Sequence, residues 1–356
     1  MMIGSPPVGP GQQLGAFVAG LPPTFRAYVV DKHGDRFDRG LRTLTPDDLP
    51  EGEVEIRVAW SSVNFKDGLA ATADGKVARS YPLVPGVDLA GTVIRSTHPS
   101  FTINTDVIAH GYDMGTSHHG GFAEYARVPG DWVVRLPPGL SLRDAMAIGT
   151  AGFTAAQAVA ELEAHGLEPA GRPVLVSGAT GGVGSTAIGI LAGLGYEVWA
   201  VTGKPDEEAW LRTLGAVGFL TREEVAAEGR PLESERWAAA VDPVGAAALP
   251  YILRTLRRGA AVASCGNASG ANLTTTVFPF ILRGAAVLGI DSAYLSIAKR
   301  RRVWERLATD LRPRGLGERV TEVTLDTLEP ALDAIVAGQA RGRWVVRINV
   351  DETKAT

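Results

Sequence analysis

The sequence predicts an α/β protein in which a doubly wound parallel sheet follows a β-rich domain. Two changes of pattern carry this expectation: near residue 150 short alternating segments give way to repeated strand-then-helix units, and a glycine cluster sits where one such strand turns into its helix. Size agrees with it. The 356 residues, 45% hydrophobic and 21% charged, can bury a large core and, at about 100–200 residues per domain, form two domains.

Residues 1 to 24, "MMIGSPPVGPGQQLGAFVAGLPPT", are rich in Gly and Pro and lack the basic start and compact apolar block of a signal peptide; they are expected to be a disordered leader, or an over-extended translation start. From Phe25 to about Gly130, segments such as "FRAYVV", "VEIRVAWSSV" and "DVIAHG" alternate between Pro, Gly and Asp punctuation and read as strands. The expected β-rich domain takes residues 25–149, and residues 293–350 follow the parallel-sheet region. Between them, over 150–292, "RPVLVSG", "VGSTAIGILAGLG", "EVWAVTG", "EEAWLRTLG", "WAAAVDPVG", "LPYILRTLRR" and "AAVASCG" give continuous apolar strands alternating with helical patterns, the signature of a parallel sheet covered on both faces. A helix around "IAKRRRVWERLATDL" and a last strand in "RGRWVVRINV" complete the chain.

Bulk charge limits the possible partners. Lys plus Arg number 35 against 39 Asp plus Glu, so the net charge of −4 gives no reason to expect a nucleic acid. No run of eighteen uncharged apolar residues suggests a membrane span. Cys265 is the sole cysteine, which excludes an intramolecular disulfide and a cysteine zinc cage and suits the reducing cytoplasm.

The most informative stretch is "LVSGATGGVGSTAIGILAGLGYEVWAVTGKP". A buried strand leads into G-x-x-G-G-x-G over Gly178–Gly184, a helical pattern follows, and a second strand ends about twenty residues on. Such glycines let a pyrophosphate reach main-chain N–H groups at the positive end of the helix; a bland turn is the competing reading of the glycines alone, and the strand before, helix after and second strand favour the phosphate. This predicts dinucleotide binding, with Thr180, Gly181, Gly182 and Val183 at the phosphates. The end of the second strand selects the cofactor: an NAD site places Asp or Glu there for the ribose 2′-hydroxyl, whereas this chain has Thr202, Gly203 and Lys204, suited to a 2′-phosphate. NADPH is the expected cofactor, the alternative for Lys204 being a solvated turn lysine.

In order along the chain, "WSSVNFKDGLAATADGKVARSYPLVPGVDLAGTV", "GTAGFTAAQAV", "VSGATGGVGSTAI" and "TTVFPFILRGAAVLGIDS" resemble the zinc-independent medium-chain dehydrogenase/reductase superfamily, and more closely its acryloyl-CoA reductase branch, also labelled quinone oxidoreductase. The similarity covers about residues 25 to 350. It implies a Rossmann domain over 150–292 inserted into a GroES-like domain made of 25–149 and 293–350, an active site in the cleft between them, NADPH-dependent reduction of acryloyl-CoA to propionyl-CoA, and a homodimer. An NADPH:quinone reductase is the alternative activity, and a non-catalytic NADPH-binding protein a more distant one.

The residues speak separately about metal. Where alcohol dehydrogenases of this superfamily carry a His-Glu pair after the Pro-Gly, this chain has Val87 and Asp88, and no early cysteine exists. His118 and His119 read as polar loop residues, so no metal is expected. Without a Lewis acid, hydride delivery to a conjugated double bond is the better chemistry, and the thioester oxygen then needs donors. "NFKD" offers Asn64 as an amide donor, Lys66 as a cation and Asp67 to orient the lysine; a strand-end turn with structural pairing is the competing reading. The resemblance places this motif at the cleft, Phe65 standing where many relatives have tyrosine. It also implies that Thr150, Thr154, Cys265, Gly266 and Ser292 lie near the nicotinamide end of the cofactor. Cys265 is expected to be packed and not nucleophilic. For the phosphates of a CoA substrate, Arg283, the run Lys299 to Arg302, Arg341 and above all Arg343 are the candidate cations at the cleft mouth, the run itself reading as a solvated helix face.

Overall fold

A computed structural model describes residues 20–169, 173–246 and 248–349. The expected leader lies almost wholly outside the described residues. The amino-terminal part opens with the antiparallel hairpin β1 (Phe25–His33) and β2 (Arg36–Leu44), turned at Gly34. It continues with β3 (Val54–Ser62), helix α1 (Phe65–Ala70), β4 (Asp88–Ser96), β5 (Asp106–His110), β6 (Tyr125–Val128) and β7 (Val133–Arg135). The inner positions of β3, Val54, Ile56 and Val58, are fully buried against Leu89, Val93 and Val107, as alternation along a half-buried strand requires.

Helix α2 (Leu142–Ala164) starts at the Ser141 capping box and joins the two halves of the molecule. The second half is β8 (Pro173–Val176), α3 (Gly182–Gly193), β9 (Glu197–Val201), α4 (Glu208–Leu214), β10 (Ala216–Leu220), α5 (Arg222–Ala226), β11 (Trp237–Asp242), α6 (Leu249–Thr255), β12 (Leu256–Ser264), α7 (Phe278–Arg283) and β13 (Ala286–Gly289). These strands form one parallel six-stranded sheet ordered β10-β9-β8-β11-β12-β13, in which the order reverses between β8 and β11. In such sheets ligands bind at that reversal, outside the carboxyl ends of the strands.

The chain then returns through α8 (Ile297–Ala308), β14 (Val320–Thr324), α9 (Leu328–Val336) and β15 (Arg343–Arg347). β15 pairs antiparallel with β3, closing the sheet β14-β15-β3-β4-β5-β7 on which β6 pairs with β3. The carboxyl-terminal strands therefore belong to the first half. One apolar core runs through the junction, joining Trp60 and Ile108 of the first sheet to α2, α3, and Trp304 of α8. Arg300 corrects the expectation of a solvated "KRRR" face: it is fully buried and donates to the His110 carbonyl and to Ser292 and Ala293, while Trp304 Nε1 donates to His110 Nε2 at 2.8 Å. Burial and the neighbouring guanidinium hold His110 well below the usual histidine range, as a neutral acceptor. Among the described residues no helix is long and apolar enough to cross a membrane.

Candidate active site in the cleft

The glycine turn comes first. Gly178, with φ 56°, turns the chain out of β8, and α3 begins at Gly182 behind an amino-terminal cap, Gly181, that has no side chain. The first intrahelical bond of the turn runs from Ser185 N to Gly181 O, so the N–H groups of Gly182, Val183 and Gly184 point outward without a helical acceptor. Two glycines here serve different ends. A β-carbon on Gly184 would lie 2.3 Å from Gly178 O, so the helix can approach the turn only as glycine. On Gly181 it would meet only Gly178 O at 3.4 Å, an ordinary contact; the protein leaves that space open. A bare, positively polarised helix start facing open space fits a pyrophosphate.

The second component is a buried polar network at the head of α2. Gly149 has φ 53° and ψ −165°, breaking the helix at the point expected as the domain boundary. A β-carbon there would lie 2.4 Å from Arg343 Nη2, 2.6 Å from Ser62 Oγ and 2.9 Å from Asp88 Oδ2. Asp88, fully buried, accepts from Ser62 N at 3.0 Å, Ser62 Oγ, Asn64 Nδ2 at 3.0 Å and Thr150 N at 2.9 Å. It therefore ties β3 and β4 to the kink of α2. Arg343 donates from Nε to Ala147 O at 2.9 Å, from Nη2 to Ser62 Oγ at 2.7 Å and from Nη1 to Asn64 Oδ1 at 3.3 Å. Its Nη1 also lies 3.0 Å from where a β-carbon of Gly182 would stand, so the network reaches the phosphate turn.

This placement changes the expected roles of several residues. Arg343 is buried among the groups that hold the cleft together and is not at its mouth; burial lowers its pKa, opposed by Asp88 and Asp67, whose negative charges it compensates. Asp67 does not orient Lys66. One carboxylate oxygen accepts from Asn64 N at 2.8 Å, closing the capping box of α1, and the other accepts from Val87 N at 2.8 Å and Gly86 N at 3.2 Å. Complete burial, and next the charge of Asp88, push its carboxyl up to about 7. Asn64 spends its amide protons on Asp88, Asp67 and Ser62, leaving none aimed outward. Lys66 and Phe65 stand exposed at the start of α1, and among the described residues Lys66 has no hydrogen-bond or ion-pair partner.

The Thr150 hydroxyl is buried and has no hydrogen-bond partner among the described residues, while its N–H is fixed by Asp88. Thr154 Oγ1 lies 2.7 Å from Ser292 Oγ, joining two residues far apart in sequence. Thr180 O accepts from Gly342 N at 3.3 Å, which lays the segment before β15 along the glycine turn. At the end of β9, Thr202 Oγ1 accepts from Lys204 N at 3.0 Å and Lys204 Nζ donates to Gly338 O at 3.1 Å. Gly266 packs against Pro243, and burial pushes the Cys265 thiol up to about 12, far from a reactive thiolate. Arg283 ties the carbonyls of Glu233, Arg254 and Leu256 together beneath β12, so it is structural, and Arg341 pairs with Glu207 beside β9. His118 bonds the carbonyl of His119, whose ring accepts from Val84 N; among the described residues no cluster of His, Cys, Asp or Glu could hold a metal ion.

Asp88 and Ser62 were not singled out as members of the site from sequence, nor was Asp242, which accepts from Ser177 Oγ, Val244 N and Gly245 N and fixes the strand ends at the sheet reversal. A carboxylate two residues after Pro-Gly, at the head of an otherwise apolar strand, is the signal by which Asp88 could have been found.

Known proteins with similar sequence and structure agree with this layout. Residues 50–138 match the alcohol dehydrogenase GroES-like domain, and residues 182–309 match the family described as zinc-binding dehydrogenase. The chain is 48% identical to acrylyl-CoA reductase AcuI of Ruegeria pomeroyi over 329 residues, 91% of this chain and 99% of that protein. Bacillus subtilis YhfP, which carries a quinone oxidoreductase name, is 45% identical over 91% of this chain and 99% of its own length; its crystal structure with NAD bound superposes with a TM-score of 0.89. The yhdH oxidoreductase of Salmonella enterica in complex with NADP gives a TM-score of 0.89 at 44% identity, covering 91% of this chain and 100% of that one. With both of its domains matched and near-complete coverage at this identity, the chain belongs to the medium-chain dehydrogenase/reductase superfamily, in the branch that contains acrylyl-CoA reductase AcuI and YhfP.

Proposed function

We propose that this protein is an NADPH-dependent acrylyl-CoA reductase that converts the thioester to propionyl-CoA. The observation that carries the reading is the meeting of an open helix start with a buried polar network built on Asp88, Asn64 and Arg343. The similarity to AcuI over 91% of the chain supplies the substrate class. Gly181, Gly182 and Val183 hold the pyrophosphate, Thr202, Gly203 and Lys204 the 2′-phosphate, and Thr150, Thr154 and Ser292 border the nicotinamide, with Cys265 and Gly266 in the loop beside it. When bound, the cofactor supplies the hydride that reaches the β-carbon of the thioester, and a proton drawn from solvent completes propionyl-CoA at the α-carbon.

The residues of this chain then deal with charge. Arg343 sets its positive charge beside the carboxyl groups of Asp88 and Asp67 inside the buried network. Negative charge developing on the thioester oxygen meets the free cation of Lys66 and the unpartnered hydroxyl of Thr150. Asn64 and Asp67 act behind them, as positioning residues that fix α1 and therefore Lys66. Phe65 offers an exposed ring next to that lysine.

The working form is a homodimer in the cytoplasm. β13 is an open edge of the parallel sheet, and Val277, Phe278, Ile281 and Leu282 on and beside α7 expose apolar side chains next to it. A second copy meeting that edge would cover both features. The lone cysteine suits a reducing compartment.

Absorbance of reduced nicotinamide, followed with purified protein and a panel of acrylyl-CoA, crotonyl-CoA and a free quinone, tests the activity. Fast oxidation of NADPH with acrylyl-CoA is expected. Brisk turnover of the quinone with none of the thioester would establish the quinone reductase alternative instead, which the YhfP name favours.

A further inference from the structure

The turn after β13 leaves the parallel sheet at the carboxyl end of a strand, the side on which such sheets bind ligands. Side chains receive its carbonyls in place of a ladder. Gln157 Nε2 donates to Asp291 O at 3.4 Å, and Arg300 Nη2 donates to Ser292 O at 3.2 Å and to Ala293 O at 2.9 Å. The same guanidinium donates from Nη1 to His110 O, at the end of β5 in the other sheet, at 2.9 Å. Gly111 completes the joint: with φ 78° it brings the chain so close that a β-carbon would lie 2.8 Å from Ala293 O and 3.0 Å from Arg300 Nη2, and Tyr112 N donates to Ala293 O at 2.8 Å. Arg300 is fully buried and, among the described residues, has no carboxylate at ion-pair distance and no partner for its Nε. Asp291 acts on its charge from farther away, Tyr112 and Phe153 offer ring faces at 4.6 and 5.3 Å, and His110 stays neutral, its Nε2 taking the Trp304 N–H. An apolar side chain would fill this place in α8 without the desolvation cost of a guanidinium. What the arginine adds is a fixed fork of donors that joins the two sheets.

We propose that Arg300 is a positioning residue of the cleft, stapling the turn after β13 to the end of β5 and so setting the Ser292 hydroxyl against α2. Ser292 Oγ lies 2.7 Å from Thr154 Oγ1, whose own proton goes to Thr150 O at 2.7 Å, so Ser292 is the donor of the pair. Thr150 follows directly on the Gly149 break, where the buried network gathers. The Asp291 carbonyl, held by Gln157, and the Ser292 carbonyl, held by Arg300, fix the peptide planes on both sides of Ser292 and with them the direction of its side chain. Without the guanidinium the second plane is free to turn, and the Ser292 carbonyl loses its donor. The role rests on the reading in which Thr154 and Ser292 border the nicotinamide, and it is independent of which acceptor takes the hydride.

Four variants test it: Ser292→Ala, Arg300→Lys, Arg300→Met and the double change Ser292→Ala with Arg300→Lys. Each is melted, its dissociation constant for NADPH is read from nicotinamide fluorescence, and its turnover is followed with whichever of acrylyl-CoA, crotonyl-CoA and quinone the wild type reduces, using NADPH with and without deuterium at both C4 positions. Ser292→Ala and Arg300→Lys are each expected to weaken NADPH about threefold to tenfold, the worth of one hydrogen bond, with the same shift of nicotinamide emission. Both should lower kcat by about tenfold or more, the scale of a small misplacement of reacting groups, leave KM for the acceptor within about twofold, and enlarge the deuterium isotope effect. The double variant should fall no more than about twofold below the worse single one, because both changes remove the same placement. Arg300→Met should lose more than Arg300→Lys, which keeps the cation and carries the test if the methionine variant does not fold. An Arg300→Lys protein that melts lower yet keeps wild-type affinity, kcat and isotope effect, or losses that multiply in the double variant, would make Arg300 a structural residue only. Ser292→Ala with every one of these readouts unchanged would remove Ser292 from the nicotinamide and overturn the proposal together with that reading.

Discussion

Gly181 and Gly184 lie three residues apart and answer differently to one added methyl group. On Gly184 it would press on the Gly178 carbonyl at 2.3 Å, backbone against backbone, where neither side can yield cheaply. On Gly181 it would sit in ordinary contact and project into the open space at the start of α3. Gly184→Ala should therefore lower the melting temperature of the protein without cofactor, by about 1–3 kcal/mol of stability on the scale of overpacking substitutions. Gly181→Ala should leave that temperature within a degree or two and weaken NADPH binding by about tenfold or more. Thermal melts paired with fluorescence titration check both; equal stability losses with unchanged binding in Gly181→Ala would remove the pyrophosphate from this turn. The glycine spacing was legible in the sequence because it is local. The roles of Asp67 and Asn64 were not: "NFKD" lists the chemistry, but only the fold reveals that Asp67 faces the Gly86 and Val87 amides and turns away from Lys66.

At the scale of elements, α2 and β15 are the pieces whose meaning depends on distant partners. The sequence sets a domain boundary between residues 149 and 150, yet α2 runs across it from Leu142 and breaks at Gly149, where Asp88, Ser62 and Arg343 need the volume of a side chain. β15 carries Arg343 from the far end of the chain into that volume, 281 residues from Ser62, a separation no local pattern reports. Its buried guanidinium compensates Asp88 and Asp67, so removing it strands carboxylates in a dry site. Arg343→Met should cost about 3–5 kcal/mol of stability, the usual range for breaking a buried ion pair, with Arg343→Lys intermediate. Denaturant unfolding monitored by tryptophan fluorescence measures this. A variant as stable as the wild type, with only a raised KM for the thioester, would return Arg343 to the CoA phosphates. Strand and helix order along residues 173–289 was legible because each unit carries its own period; the pairing of β15 with β3 was not.

In the whole molecule two sheets meet across α2, α8 and the segment 338–343, and the cleft between them is built from both ends of the chain. The two-domain plan was visible in the change of periodicity near residue 150, and the family resemblance carried it to the right architecture. The open β13 edge beside α7 predicts that the protein runs in light scattering as two chains of 37.4 kDa. Ile281→Glu, on an exposed position of α7, should shift it to a single chain without loss of secondary structure; a wild type of one-chain mass would contradict the dimer. The central claim concerns chemistry: the cleft directs the cofactor's hydrogen to the alkene of a CoA thioester. Mass spectrometry of the product formed from acrylyl-CoA and NADPH carrying deuterium at both C4 positions of the nicotinamide tests it most directly. The account predicts one deuterium on the β-carbon of propionyl-CoA; an unlabelled product, or no product while a quinone is reduced, would contradict it.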